Sequence, residues 1–273
     1  MRRLTAKQVG DFRKTVYRCY AESGRKNLPW RKTKDPYRIL VSEFMLQQTQ
    51  VPRVALKFEP FVERFPDFES LARARLRDVL AVWSGLGYNR RALMLKKTAE
   101  EVVSVYGGRL PRAFEKLLAL PGVGLATAAG VSAFAFGAGR PFVETNIRTV
   151  FIHHFHKGRG AVADADILPL VEQTLDRDNP RRWFYALMDY GVALKARHVN
   201  PSRRSATYTR QGRFEGSNRE ARGLIIKALT GRSMNERELA GETGLVIERI
   251  RSILPALIRE GFVATHRGKL SIA

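Results

Sequence analysis

Apolar residues recur at helical spacing through almost all of the first 195 residues, and no stretch there alternates as a half-buried strand does. Val9, Phe12, Val16 and Tyr20 share one face of a first helix. Asp35-Pro36 opens another, with Asp as cap and Pro in the first turn, running through Ile39, Leu40, Glu43 and Phe44 to about Gln47. Further helical spacing covers residues 51–65, 70–72, 76–83, 90–106, 113–118, a segment from about 145, 164–175 and 181–194, with Pro66, Gly85, Gly87, Gly107, Gly108 and Pro111 as punctuation. The pattern predicts an all-α body over residues 1–195.

Charge narrows the partner. Lys and Arg number 48 against 26 Asp and Glu, a formal net charge of +22. Such an excess opposes compaction unless a polyanion offsets it, and nucleic acid is the commonest such partner. Cys19 is the one cysteine, which excludes an intramolecular disulfide and a thiolate metal cluster and fits a reducing cytoplasm. The uncharged run 122–139 is rich in Gly, Ala, Ser and Thr and poor in large apolar side chains, so it reads as a buried helix and not a membrane span. His153, His154 and His156 are neighbours in sequence, but adjacent helical side chains diverge, so no metal site is expected.

After residue 195 the character changes. Residues 196–217 carry Arg197, Arg203, Arg204, Arg210 and Arg213 among Ser, Thr, Gly and Asn, a basic linker or loosely ordered arm. Residues 218–273 read as a small separate domain. It has three helices, the last disturbed by Pro255, and a hairpin of 262–264 and 270–272 around Arg267-Gly268-Lys269. That order fits a small winged helix-turn-helix, for contact with DNA or with protein.

Four motifs carry chemistry. In Leu120-Pro121-Gly122-Val123-Gly124 two glycines make a tight turn between helices, where bare backbone N–H groups can approach a phosphate; an ordinary interhelical turn reads the same way. Glu144 stands just before a helix start capped by Thr145 or Asn146, where the helix dipole alone favours an acid. Glu43 lies among Ile39, Leu40, Leu46 and Trp30, company that raises a carboxyl's pKa, although most helix glutamates are simply solvated. Gln47, Gln48 and Gln50 follow it, neutral side chains that bond base edges and fill the gap left by an extruded base. Finally, the loop Gly85-Leu86-Gly87 presents Tyr88, which reads as a stacking wedge or as a core tyrosine after a turn.

Taken in order, Leu28-Pro29-Trp30-Arg31, Ser42-Glu43-Phe44-Met45-Leu46-Gln47-Gln48-Thr49, Trp83-Ser84-Gly85-Leu86-Gly87-Tyr88, Leu120-Pro121-Gly122-Val123-Gly124, Asn146 with Arg148, and Met188-Asp189-Tyr190-Gly191 resemble the MutY-type branch of the helix-hairpin-helix (endonuclease III) DNA glycosylases. The resemblance implies two helical subdomains with DNA across their cleft. The implied reaction is monofunctional excision of a flipped adenine opposite 8-oxoguanine or guanine. It assigns Glu43, Glu144 and Asn146 to catalysis. Trp30, Arg31, Leu46, Ala126 and Asp189 fall at the base pocket. Gln47, Gln48, Tyr88, Arg90, Arg91, Gly122, Val123, Gly124, Arg148, Arg197, Arg203 and Arg204 fall at DNA contacts. Glu43 is expected to protonate the base and then to activate water, Glu144 to stabilise the positive sugar, and Asn146 to orient a carboxylate or the water. The expected partner is duplex DNA holding a mismatch or lesion, bound by a monomer in the cytoplasm at the nucleoid.

The chain departs from the family in four places. Ala126 stands where bifunctional relatives have a lysine, so no Schiff-base lyase chemistry is expected at that position. Glu144 replaces the family's aspartate, and a shift near 1 Å in a charge-stabilising group costs about 100-fold in rate. Residues 194–202 hold none of the four cysteines that bind the family's iron–sulfur cluster, so no cofactor is expected. Residues 218–273 do not resemble the domain that reads 8-oxoguanine, so that domain is expected to be absent. Two other readings stay open: a glycosylase for thymine or uracil opposite guanine, and a non-catalytic lesion sensor.

Overall fold

The structure, a computed structural model, describes residues 3–158 and 160–273. Among the described residues fourteen α-helices and one two-stranded hairpin form two compact units that do not follow chain order. One unit holds the N-terminal segment through Leu40, Arg112–Ala119 and Val123–Arg210. The other holds Val41–Pro111, Leu120–Gly122 and Gln211–Ala273.

The first unit contains α1 (Ala6–Ser23), α7 (Phe114–Ala119), α8 (Leu125–Phe136), α9 (Thr145–Phe155), α10 (Asp164–Thr174) and α11 (Pro180–Arg197). A capping box starts α1: Gln8 N–H donates to Thr5 Oγ1 at 3.2 Å and Thr5 N–H to Gln8 Oε1 at 2.9 Å. The apolar face expected for α1 meets α11 and α9, where Phe12 packs 5.4 Å from Phe151 and 5.9 Å from Trp183, ring to ring. The uncharged run folds as α8, buried on nearly every side between Thr127 and Phe134, and Gly137 ends it in the left-handed conformation. No described helix is long and apolar enough to cross a membrane.

The second unit contains α3 (Val51–Arg64), α4 (Phe68–Arg73), α5 (Leu76–Trp83), α6 (Arg90–Tyr106), α12 (Asn218–Gly231), α13 (Glu236–Thr243), α14 (Ile247–Arg259) and the strands β1 (Val263–His266) and β2 (Lys269–Ile272). The unit boundary falls inside α2 (Pro36–Leu46). Its core gathers Phe58, Phe61, Trp83 and Leu95, with Phe61 and Trp83 edge to face at 5.8 Å.

The C-terminal segment departs from its expected independence, because it belongs to the same unit as 41–111. Helix α12 packs on α5, and Arg77 of α5 donates to the α12 C-terminal carbonyls of Thr230, at 2.7 Å, and Gly231. Helix α14 runs through Pro255 without breaking. A proline inside a helix costs about 3 kcal/mol, whereas Ile250, Ile253, Leu254 and Leu257 are all buried, each worth about 1.5–3 kcal/mol, so burial wins. The hairpin is as expected, with Arg267 and Gly268 both at positive φ in a two-residue turn.

The arm also departs from expectation. Helix α11 extends to Arg197, a 3-10 turn covers Pro201–Arg204, and Ser205 bridges Val162. Residues 206–216 are exposed and without helix or strand.

Candidate active site

Glu43 lies on α2 between the buried Ser42 and Phe44 and is itself half-buried. What fixes this helix is Arg91. Its terminal nitrogens donate to the α2 carbonyls of Phe44 at 3.0 Å and Met45 at 2.8 Å and to that of Gln47, and then to Thr49 Oγ1 at 2.9 Å, Leu86 O at 3.2 Å and Gly87 O at 2.9 Å. The orphan carbonyls at the end of α2 thus find a buried cation, which burial brings down to a pKa of about 10. The resemblance places Arg91 at a DNA contact; here it is 8 % exposed and its terminal nitrogens bond protein.

The same guanidinium joins the two loops that carry the expected wedges. Gln48 and Tyr88 have φ of 54° and 50°, and with Arg267 they are the described non-glycine residues in the left-handed region. Such backbone costs of order 1 kcal/mol or more and persists only where its surroundings impose it. Gln48 is exposed and Gln47 half-buried. Half-buried Tyr88 has Arg91 5.4 Å from its ring centroid, and its hydroxyl accepts from Arg219 of α12 at 2.8 Å. A C-terminal contact to this tyrosine had no signal in the sequence.

In the hairpin turn the glycines have different tasks. Gly122 has φ 73°, and a Cβ there would lie 2.6 Å from Met94 Cβ and 3.0 Å from Phe44 Cε1. The positive φ and the close packing against Met94 and Phe44 both demand this glycine. Thr98 Oγ1 holds the turn by donating to Pro121 O at 2.7 Å. Val123 is buried, whereas Gly124 is exposed, has open space where a Cβ would stand, and caps α8. Gly122 and Gly124 are thus both exposed on either side of the buried Val123.

Glu144 is itself the cap of α9, in place of Thr145 or Asn146. Its Oε1 accepts from the N–H of Asn146 and of Ile147, both at 2.8 Å, and Oε2 from Asn146 Nδ2 at 3.2 Å. Burial pushes its carboxyl up from the ordinary value, while the two backbone N–H groups, Lys195 and Arg148 pull it down. Asn146 Oδ1 in turn accepts from Lys195 Nζ at 2.7 Å. Gly191, the last residue of the Met188-Asp189-Tyr190-Gly191 motif, allows this approach, since a Cβ there would lie 2.4 Å from Asn146 O.

The expected base-pocket residues are dispersed in role. Arg31 and Asp189 meet in a two-pronged ion pair at 2.6 and 2.9 Å, their side chains 5 % and 3 % exposed, and Arg25 adds a contact at 2.6 Å. Burial alone would raise the Asp189 carboxyl, but Arg31 and Arg25 outweigh it and hold it below the usual carboxylate range. Trp30 is buried beside this pair in sequence, and Leu46 is half-buried at the end of α2. Ala126 lines a largely apolar cavity of about 630 Å³ with Phe114, Leu125, Ala129, Phe142 and Leu168, which none of the other four residues reaches. Arg31 and Asp189 are thus engaged with each other, and Trp30 is buried next to Arg31 along the chain.

Two more expected DNA contacts have partners within the protein. Arg148 pairs with Asp164 through two bonds of 2.7 Å, and Arg204 donates to the carbonyl of His156. Arg90, Arg197 and Arg203 are exposed. His154 bonds the Tyr190 hydroxyl at 2.8 Å, and burial lowers it to about 4. No described group of three His, Cys, Asp or Glu could hold a metal. Residues 194–202, which offer a lysine, an arginine, a histidine, an asparagine and one serine but no thiolate, do not fit the ligand set of a four-cysteine cluster.

Residues 41–167 match the HhH-GPD superfamily of base excision DNA repair proteins. The chain is 35% identical over 225 residues to an adenine DNA glycosylase of Mycolicibacterium smegmatis, covering 76% of this chain and 77% of that one. It is 38% identical over 187 residues to an adenine DNA glycosylase of Buchnera aphidicola subsp. Baizongia pistaciae, covering 67% of this chain and 52% of that one, so it spans about half that relative's length. Among solved structures, a thermostable thymine-DNA glycosylase aligns with a TM-score of 0.63 at 27% identity, over 73% of this chain and 93% of that one. The helical architecture, the motif order and these matches together make the chain a member of the HhH-GPD superfamily of base excision DNA repair proteins, in its MutY-type branch.

Proposed function

We propose that the protein is a monofunctional DNA glycosylase that hydrolyses the N-glycosidic bond of an adenine mispaired with guanine or 8-oxoguanine. The observation that carries this reading is Glu43, half-buried on a helix whose C-terminal end is tied by Arg91 to the loops bearing Gln48 and Tyr88. A proton donor and the residues that replace an extruded base then share one rigid support.

In this account Gln48 and Tyr88 enter the duplex and the adenine swings out. Glu43 donates a proton to N7, which turns a poor leaving group into a neutral one as the C1′–N9 bond breaks. The sugar becomes oxocarbenium-like. Glu144, whose Oε1 accepts from two backbone N–H groups, stabilises that charge once ionised, and ionised Glu43 takes a proton from the attacking water. Ala126 offers no amine at the position used by bifunctional relatives, which favours hydrolysis over lyase chemistry. The reading requires no iron–sulfur cluster, since Cys19 is the single cysteine. The excess of 48 basic over 26 acidic residues supports duplex DNA as the partner, met as a monomer at the nucleoid in the cytoplasm.

The similarity to a thymine-DNA glycosylase structure supports one second reading, excision of thymine or uracil opposite guanine. Four duplexes separate the two: adenine opposite 8-oxoguanine, adenine opposite guanine, thymine opposite guanine and uracil opposite guanine. Alkali-labile strand breaks in the first two alone are expected. Breaks only in the last two would transfer the activity to pyrimidines, and breaks in none would end the enzyme reading.

A further inference from the structure

We infer that Lys195 is a positioning residue for Glu144, acting through Asn146. This rests on the proposed role of Glu144 as the anion facing the sugar.

Three bonds carry the inference. Lys195 Nζ donates to Asn146 Oδ1 at 2.7 Å, Asn146 Nδ2 donates to Glu144 Oε2 at 3.2 Å, and Asn146 N–H donates to Glu144 Oε1 at 2.8 Å. An asparagine amide is nearly symmetric in shape, so its two ends are told apart only by what they meet. An ammonium only donates and a carboxylate only accepts. Lys195 therefore fixes the amide with its NH2 group toward Glu144, and the carboxylate is gripped at both oxygens.

The helix geometry serves this contact. Gly191 brings the α11 backbone against Asn146, and Lys195 follows four residues later, one turn along on the same face. Lys195 also lies in the stretch where the family carries cluster cysteines, so the segment that offers no thiolate here sends an amine toward the candidate site instead.

The other charges nearby are already paired. Arg148 on α9 is tied to Asp164 of α10, and Arg25 in the segment after α1 is tied to Asp189. Burial pulls the Lys195 pKa down and Glu144 pulls it back up, so each group favours the charged form of the other.

The test uses the full chain with Lys195→Met, Lys195→Gln and Lys195→Arg. Single-turnover excision is followed against pH on the duplex the wild type cuts best, and affinity is measured on a duplex with a non-hydrolysable adenosine analogue. Lys195→Met is expected to lose about 10- to 100-fold in rate with affinity unchanged within about twofold. Its acid limb should move to higher pH, because Glu144 without the neighbouring cation is harder to ionise. Lys195→Arg should restore most of the rate. Lys195→Gln keeps a donor for Asn146 without the charge, so it should show the displaced limb with a smaller rate loss, and it answers the question if the methionine variant fails to fold.

A wild-type rate and limb in both neutral variants would overturn the inference while Glu43→Gln remains inactive. Inactivity of the wild type on every mispair would instead remove the function on which it rests. A borohydride-trapped cross-link to an abasic duplex that depends on Lys195 would also overturn it, since the amine would then be a nucleophile and not a positioning group.

Discussion

Two carboxylates, Glu43 on α2 and Glu144 at the start of α9, occupy different places on their helices. Glu43 stands in the middle of its helix, between buried Ser42 and Phe44 and ahead of the Arg91 clamp on the Phe44 and Met45 carbonyls. Glu144 is part of the backbone bonding of its helix, because its Oε1 takes two N–H groups at the α9 terminus. Protonation of Glu144 weakens two cap bonds. A group that must hand over a proton and a group that must keep its charge are thus distinguished by where they sit on a helix.

The contrast can be broken most directly at Glu43. Glu43→Gln is expected to lose about 10⁴-fold in single-turnover excision, the upper range for a general acid, with duplex affinity and unfolding midpoint unchanged. A normal rate would remove the distinction.

The next largest effect belongs to a third carboxylate, Asp189, which is buried in ion pairs with Arg25 and Arg31. Asp189→Asn leaves Arg25 and Arg31 facing a neutral group in a buried setting and should cost about 3–5 kcal/mol of stability by denaturant titration. Its folded carboxyl lies below the unfolded value, so wild-type stability is full above the ordinary aspartate range and falls as pH drops through the folded pKa. That part of the acid loss should be missing in the variant.

Glu144→Ala sharpens the comparison because it should fail in both assays. It should lose about 100-fold in rate, as expected for removal of one charge-stabilising group. It should also lose about 1 kcal/mol of stability for the missing cap. Full retention of stability would mean that Glu144 is no more a cap than Glu43 is.

The smallest effect is expected at Arg219→Ala, which removes the bond to the Tyr88 hydroxyl. Excision should slow about threefold, the value of one ordinary hydrogen bond, with no movement of the pH profile. A displaced profile would place Tyr88 within the proton chemistry.

Much of this molecule was legible in its sequence, and the parts that were not share a cause. Helical spacing located α1, α2, α6 and α11, and turn chemistry located the hairpin at Arg267-Gly268, because both are local. The family resemblance put Arg31 in the base pocket and Arg91 and Arg148 at DNA contacts, and the residues beside them in sequence say nothing of what each one meets. Each instead answers a carbonyl or carboxylate brought near by the fold: Asp189, the end of α2 and Asp164. Gly122 gave the right turn for an incomplete reason, since Met94, which fills the space beside it, lies 28 positions earlier in the chain. Lys195 was missed as well. Its one signal was placement four residues after Gly191, which means something only once Gly191 is known to lie against Asn146.

The pH dependence of the wild-type single-turnover rate tests the central claim most directly, since one carboxyl must be protonated and another ionised when the base departs. Between about pH 4 and about pH 9 the account predicts a bell, rising as Glu144 ionises and falling as Glu43 loses its proton, with the alkaline limb tied to Glu43. A rate that stays flat across that range, or an alkaline limb that persists in the residual activity of Glu43→Gln, would contradict it.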